Sequence, residues 1–142
     1  MPDVTVRAKE LRYAVDLTTV GDLTDEKGVG LEVPGGWSAE HLLLAALLRC
    51  SLESLGYHAR RAGLEVGSAS GGSRTLVTKR ATDGRYALVK TEVELVVSLE
   101  PEPERDALAE LLALTERDCF VGSSLTAEPS YRWTVNGRTI AS

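Results

Sequence analysis

The chain has 142 residues, the length of one ordinary domain, and its 43% hydrophobic and 26% charged content is globular rather than disordered. A net charge of -5 argues against a general nucleic-acid-binding surface, which carries a basic surplus. Two cysteines are too few for a disulfide-stapled secreted scaffold, and with two histidines they fall short of a zinc site unless carboxylates complete it.

From Met1 to Lys9 the chain is mixed and charged, without the apolar stretch of a signal peptide. The longest apolar run, Leu42 to Leu48, is too short to span a bilayer. The expectation is a soluble cytoplasmic protein, one domain over 1–142, with no membrane or nucleic-acid partner and with reduced cysteines.

Residues 3–19 predict strands, with Val4, Val6 and Ala8 alternating first and Leu11, Tyr13, Val15 and Leu17 following. Gly21 to Gly28 is polar and predicts a loop, and Val29, Leu31 and Val33 predict a short strand before Pro34-Gly35-Gly36. Ser38 is a candidate N-cap for the strongest helix, with Glu40 in the first turn, where the dipole favours an acid. Its apolar stripe is predicted to carry Leu42, Leu43, Ala46, Leu47, Cys50, Ser54 and Tyr57, and Gly63 is the predicted stop.

Leu64 to Ser70 predicts a strand, Gly71-Gly72 a turn, and Thr75 to Thr82 another strand. Asp83-Gly84 is a hairpin signal before the long β-branched run Tyr86 to Leu99. A second helix is predicted after Pro103, with Leu108, Leu111, Leu112, Thr115 and Cys119 on its stripe and Gly122 at its end. Tyr131, Trp133 and Val135 predict a strand that Asn136-Gly137 turns towards Thr139-Ile140. Strands group together, so the predicted class is α+β with mostly antiparallel sheets.

Cys50 and Cys119 fall on the apolar stripes of the two predicted long helices. Two readings stay open from the residues alone: small buried hydrophobes, or a redox pair in which Cys50 attacks and Cys119 resolves. A reactive thiolate needs a cation or a helix N-terminus, and Cys50 lies too deep in its helix for the dipole to act strongly. Arg49 points about 100° around the helix from Cys50, so Arg7 and Arg12 are the candidate thiolate-stabilising cations. Trp37, beside Gly35-Gly36, is a candidate pocket residue or a staple at the helix entry. His58 lies eight residues beyond Cys50, about 12 Å along a straight helix, and is a poor candidate base for that thiol.

Two segments carry a resemblance. Ser38-Ala39-Glu40-His41-Leu42 through Arg49-Cys50 resembles the central-helix signature of the OsmC/Ohr family, the osmotically induced and organic hydroperoxide resistance proteins. Glu116-Arg117-Asp118-Cys119-Phe120-Val121-Gly122-Ser123-Ser124-Leu125 resembles its second signature. The family pattern has proline where this chain has Ala39 and Phe120. The resemblance implies antiparallel sheets wrapped around two central helices in an intertwined homodimer. It also implies a thiol peroxidase that reduces organic hydroperoxides or hydrogen peroxide, with Cys50 peroxidatic, Cys119 resolving and Glu40 holding an active-site arginine. The implied reductant is a dithiol or a lipoylated protein, and no metal or organic cofactor is implied. The alternative on the same fold is a binding or redox-sensing protein without efficient peroxidase activity.

Overall fold

The computed structural model describes residues 8–141, so the predicted strand positions Val4 and Val6, and the candidate Arg7, lie outside the described residues. The chain divides into two compact units, residues 1–37 and 38–142.

The first unit holds a three-stranded antiparallel sheet of β1 (Val15–Leu17), β2 (Leu23–Asp25) and β3 (Gly30–Leu31). Strand structure is shorter than the alternation predicts, because residues 8–14 pair with nothing in a ladder. The polar stretch 21–28 is not one loop. Two turns flank a real strand within it. Gly21 N–H bonds to Thr18 O at 3.0 Å, and the Asp25 carboxylate accepts from the N–H groups of Lys27 and Val29 at 2.9 and 2.8 Å. Side chains that bond locally to the backbone fold the chain back without any apolar signal.

The second unit opens with α1 (Ala39–Arg61). Ser38 caps it as expected, and His41 closes a reciprocal capping box by accepting the Ser38 N–H on Nδ1 at 3.0 Å. Gly63, at φ +76, follows the C-cap Ala62, the left-handed position where glycine ends a helix without strain. The buried face of α1 runs through Leu47, Ser51, Ser54, Leu55, His58 and Ala59. It is rotated from the predicted stripe, and Tyr57 is exposed.

Next come β4 (Glu65–Lys79) and β5 (Tyr86–Glu100), α2 (Arg105–Arg117), the short α3 (Phe120–Ser123), β6 (Ser130–Val135) and β7 (Arg138–Ala141). These strands form one sheet in the order β4-β5-β6-β7. All its pairs are antiparallel except β5–β6, which is parallel and joined by a crossover carrying α2 and α3. The architecture is α+β, as the strand grouping predicts.

Gly71-Gly72 does not turn the chain; it lies inside β4, paired with Leu95 and Glu94 of β5. A Cβ on Gly71 would run into the carbonyl oxygen of Glu94, so the glycine permits close strand approach rather than reversal. The expected turn at Asn136-Gly137 is present, with both residues at positive φ (49° and 83°) as a tight hairpin requires.

The core lies between this sheet and the helices. Val93, Leu95, Val97 and Leu99 point inward at every second position of β5, joined by Tyr131, Trp133 and Val135 from β6. Leu47, Leu55, Leu108, Leu111 and Leu112 supply the helical side. The Trp133 indole N–H also donates to Glu116 Oε2 at 3.1 Å, and its ring stacks on Tyr131.

The second long helix stops earlier than predicted. It ends at Arg117 with Asp118 as C-cap, and Cys119 is the N-cap of α3. The 3.6-residue spacing carries the buried stripe through to Cys119, but the backbone breaks there, so only Cys50 lies within a long helix. No described helix is long and apolar enough to cross a membrane.

Candidate functional site

Cys50 lies on the middle of α1, partly buried, and Cys119 lies fully buried at the joint between α2 and α3. Both are free thiols. Cys119 and the backbone N–H groups of Val121 and Phe120 lie close enough to Cys50 to influence the ionisation of its thiol. The short turn of α3 thus carries Cys119 as its N-cap and holds the two amides that favour the Cys50 anion.

Burial is the main influence on the Cys50 thiol and raises its pKa above the ordinary cysteine value. The Val121 amide opposes this, the Cys119 side chain adds to the rise, and the Phe120 amide opposes it again. Raised pKa means little thiolate at neutral pH. Alkylation of Cys50 by iodoacetamide, followed in a Cys119→Ser protein, should therefore still climb about tenfold per pH unit through pH 8. A plateau reached below pH 7 would contradict this.

A cavity of about 360 Å³ opens beside Cys50, lined by Cys50, Glu53, Ser54, Tyr57, Asp118 and Phe120, and largely by their apolar atoms. Phe120 is 61% exposed and forms one wall, at the position where the resemblance would put proline. A larger, more open groove of about 930 Å³ lies around Gly67, Ser98 and Glu100 and carries neither cysteine. The smaller cavity is the one that reaches a nucleophile.

Cys119 sits in a hydroxyl-rich recess. Ser51 Oγ lies 3.7 Å from its sulfur, 2.9 Å from Tyr131 Oη and 2.8 Å from the Leu47 carbonyl, to which it donates. With its only proton committed there, Ser51 accepts from the Tyr131 hydroxyl. Burial drives the Tyr131 pKa up, partly opposed by the Ser51 contact and reinforced by nearby Cys119, so the phenol stays protonated.

Glu40 is solvent-exposed in the first turn of α1, its carboxyl held below the usual range by its own backbone N–H and then by the Ser38 side chain. No arginine among the described residues forms an ion pair with it. Arg12, in the first unit, pairs with Glu10 at 2.9 Å. Trp37 belongs to the same unit, its N–H bonded to Pro34 O at 3.1 Å. Among the described residues of the second unit, no guanidinium acts on the Cys50 thiol. Arg49 is engaged with Glu53 at 3.2 Å, and Arg117 with Asp118 at 2.9 Å. No cluster of three or more His, Cys, Asp or Glu side chains among the described residues is arranged to hold a metal ion.

Sequence reasoning missed Asp118, Ser51 and Tyr131 as neighbours of the cysteines. His58, a poor candidate base for Cys50 by helical spacing, instead donates from Nε2 to Asp118 Oδ2 at 2.7 Å, one residue before Cys119. The signal available was a run of polar residues, 51, 54 and 58, at helical spacing inside an otherwise apolar helix face.

The family model described as OsmC-like protein matches residues 32–134. Among solved structures, an OsmC-like protein of unknown function from Vibrio cholerae superposes with a TM-score of 0.71 at 16% identity, covering 89% of this chain and 99% of that one. The organic hydroperoxide resistance protein of Bacillus subtilis gives 0.52 at 18% identity, covering 88% and 96%. One from Elizabethkingia anophelis, with crystallant-derived thiocyanate bound, gives 0.58 at 16% identity, covering 92% and 99%. At such identities the likeness is one of fold. No curated protein matches the sequence.

Proposed function

Because the chain belongs to the OsmC-like family, we propose that it is a thiol-dependent hydroperoxide reductase, with Cys50 as peroxidatic and Cys119 as resolving cysteine. The observation that carries this is the mutual influence of two free thiols 69 positions apart in sequence, one lining a cavity and the other fully buried. That is the division of labour a two-cysteine peroxidase needs. The accessible sulfur meets the oxidant, and the sheltered one meets only the oxidised partner.

In the proposed reaction the Cys50 thiolate attacks the distal oxygen of an organic hydroperoxide, the O–O bond breaks, and the alcohol leaves with a proton. Cys50 becomes a sulfenic acid. Cys119 sulfur then attacks Cys50 sulfur, the S–O bond breaks, and the hydroxyl leaves with the Cys119 proton as water. An external dithiol or lipoylated protein returns the disulfide to two thiols. The amides of Val121 and Phe120 favour the Cys50 anion. One domain over 1–142 and a homodimer belong to the same proposal, as does a role for Glu40 and for Arg7 or Arg12 in orienting charge at Cys50.

A second reading is favoured by a specific observation. Burial holds the Cys50 pKa up, and no guanidinium among the described residues of its own unit offsets it. A binding or redox-sensing protein would show this pattern, with slow oxidation and no efficient turnover. Steady-state consumption of cumene hydroperoxide with dihydrolipoamide as reductant separates the two. Sustained turnover with Cys50–Cys119 disulfide as the oxidised form supports the reductase. Absence of turnover, with both thiols intact after peroxide, overturns it.

A further inference from the structure

Three buried polar residues of α1 point at one short stretch of chain. Ser54 Oγ donates to Thr115 O at 2.8 Å, His58 Nε2 donates to Asp118 Oδ2 at 2.7 Å, and Ser51 Oγ lies 3.7 Å from Cys119 Sγ. Positions 51, 54 and 58 share one stripe of the helix with Leu47, Leu55 and Ala59. Apolar side chains would fill such a stripe without desolvation cost, whereas hydrogen-bonded polar ones fix a unique geometry. What they fix is the joint between α2 and α3, where Cys119 sits.

Asp118 is the telling member. It is the C-cap of α2, where the helix dipole disfavours an acid. Two partners compensate. Arg117 donates to its two oxygens at 2.9 and 3.0 Å, and His58 reaches across from α1. Together they hold the carboxyl below its usual pKa, the Arg117 contribution being the larger. Arg117 is a sequence neighbour and adds no long-range restraint. His58 is 60 residues away and lies on the helix that carries Cys50. The His58–Asp118 bond thus ties the residue preceding Cys119 to the helix bearing Cys50.

We propose that His58 and Asp118 are positioning residues for the resolving step, holding Cys119 where it captures the Cys50 sulfenic acid; this rests on the peroxidase reading above. The step they govern forms the Cys50–Cys119 S–S bond and breaks the Cys50 S–O bond. Cys50 sulfur is reduced, Cys119 sulfur is oxidised, and the thiol proton leaves with the hydroxyl as water. When the tie is cut, the joint samples other positions and the sulfenic acid survives long enough to meet a second hydroperoxide. That molecule transfers its distal oxygen to sulfur, giving sulfinic acid and a second alcohol.

The test is the fate of the sulfenic acid, read by intact-mass spectrometry after excess cumene hydroperoxide without reductant. This partition does not depend on how fast the first oxidation occurs. Wild-type protein should end mainly as disulfide. His58→Leu and Asp118→Ala should raise the ratio of sulfinic acid to disulfide about tenfold, the scale on which a charge-assisted hydrogen bond acts. His58→Gln keeps a side-chain donor and should restore most of the wild-type ratio. Asp118 is partly exposed, so its alanine variant carries the test if the buried leucine prevents folding. An unchanged ratio in the folded variant, or no rescue by glutamine, overturns the positioning role. Wild-type protein that forms neither sulfenic acid nor disulfide overturns the peroxidase reading itself, and is told apart by that first arm.

Discussion

Replacing Cys50 with serine is expected to abolish hydroperoxide turnover, a loss of more than about a thousandfold. Serine is nearly isosteric, so the cavity and the packing of α1 should survive. What goes is a polarisable nucleophile that ionises within reach of physiological pH, since a hydroxyl does neither. Cys119→Ser should behave differently. Cys50 is then oxidised once, to a sulfenic acid trappable by dimedone, and no intramolecular disulfide forms. A Cys50→Ser protein that still turns over peroxide would move the chemistry to Cys119, which is fully buried.

The second large effect is on stability. Trp133→Ala should cost about 3–5 kcal/mol, because it removes the largest fully buried side chain from the centre of the sheet. The loss is more than volume. The Glu116 carboxylate forfeits the indole N–H, and Tyr131, stacked on the indole at 5.8 Å between centroids, loses its support beside Cys119. Trp133→Phe keeps part of the stack and should cost less. Equilibrium urea unfolding of the two variants checks the order, and a cost for alanine below about 1 kcal/mol would mean the site collapses freely.

Much of the fold is legible in local chemistry. Ser38, the apolar run after it and Gly63 specify α1, because each acts within one or two turns of backbone. Asn136-Gly137 specifies its hairpin for the same reason. What escapes is decided across space. Gly71-Gly72 has the composition of a turn, yet the need it meets is the approach of Glu94 on the next strand. The stripe Leu108, Leu111, Leu112, Thr115, Cys119 keeps helical spacing straight through the break after Arg117, so periodicity alone cannot see the joint. The site is legible in its two thiols, which resemblance draws together. The polar seam of Ser51, Ser54 and His58 is not, since a serine or histidine on a helix declares no partner until the other helix arrives.

The parallel pairing of β5 with β6 also has a kinetic side. The β4–β5 hairpin is local and can form as soon as its own residues meet, but β6 joins only when the chain over 101–129 closes as a large loop. Cys119 travels on that loop. Before closure the two sulfurs share only the low effective concentration of a flexible tether; in the folded chain Cys119 is near enough to influence the Cys50 thiol. Under the proposed reaction, oxidative coupling of the pair would therefore be a property the chain acquires only once this loop has closed, and a nascent or partly unfolded molecule would be chemically a carrier of two independent thiols.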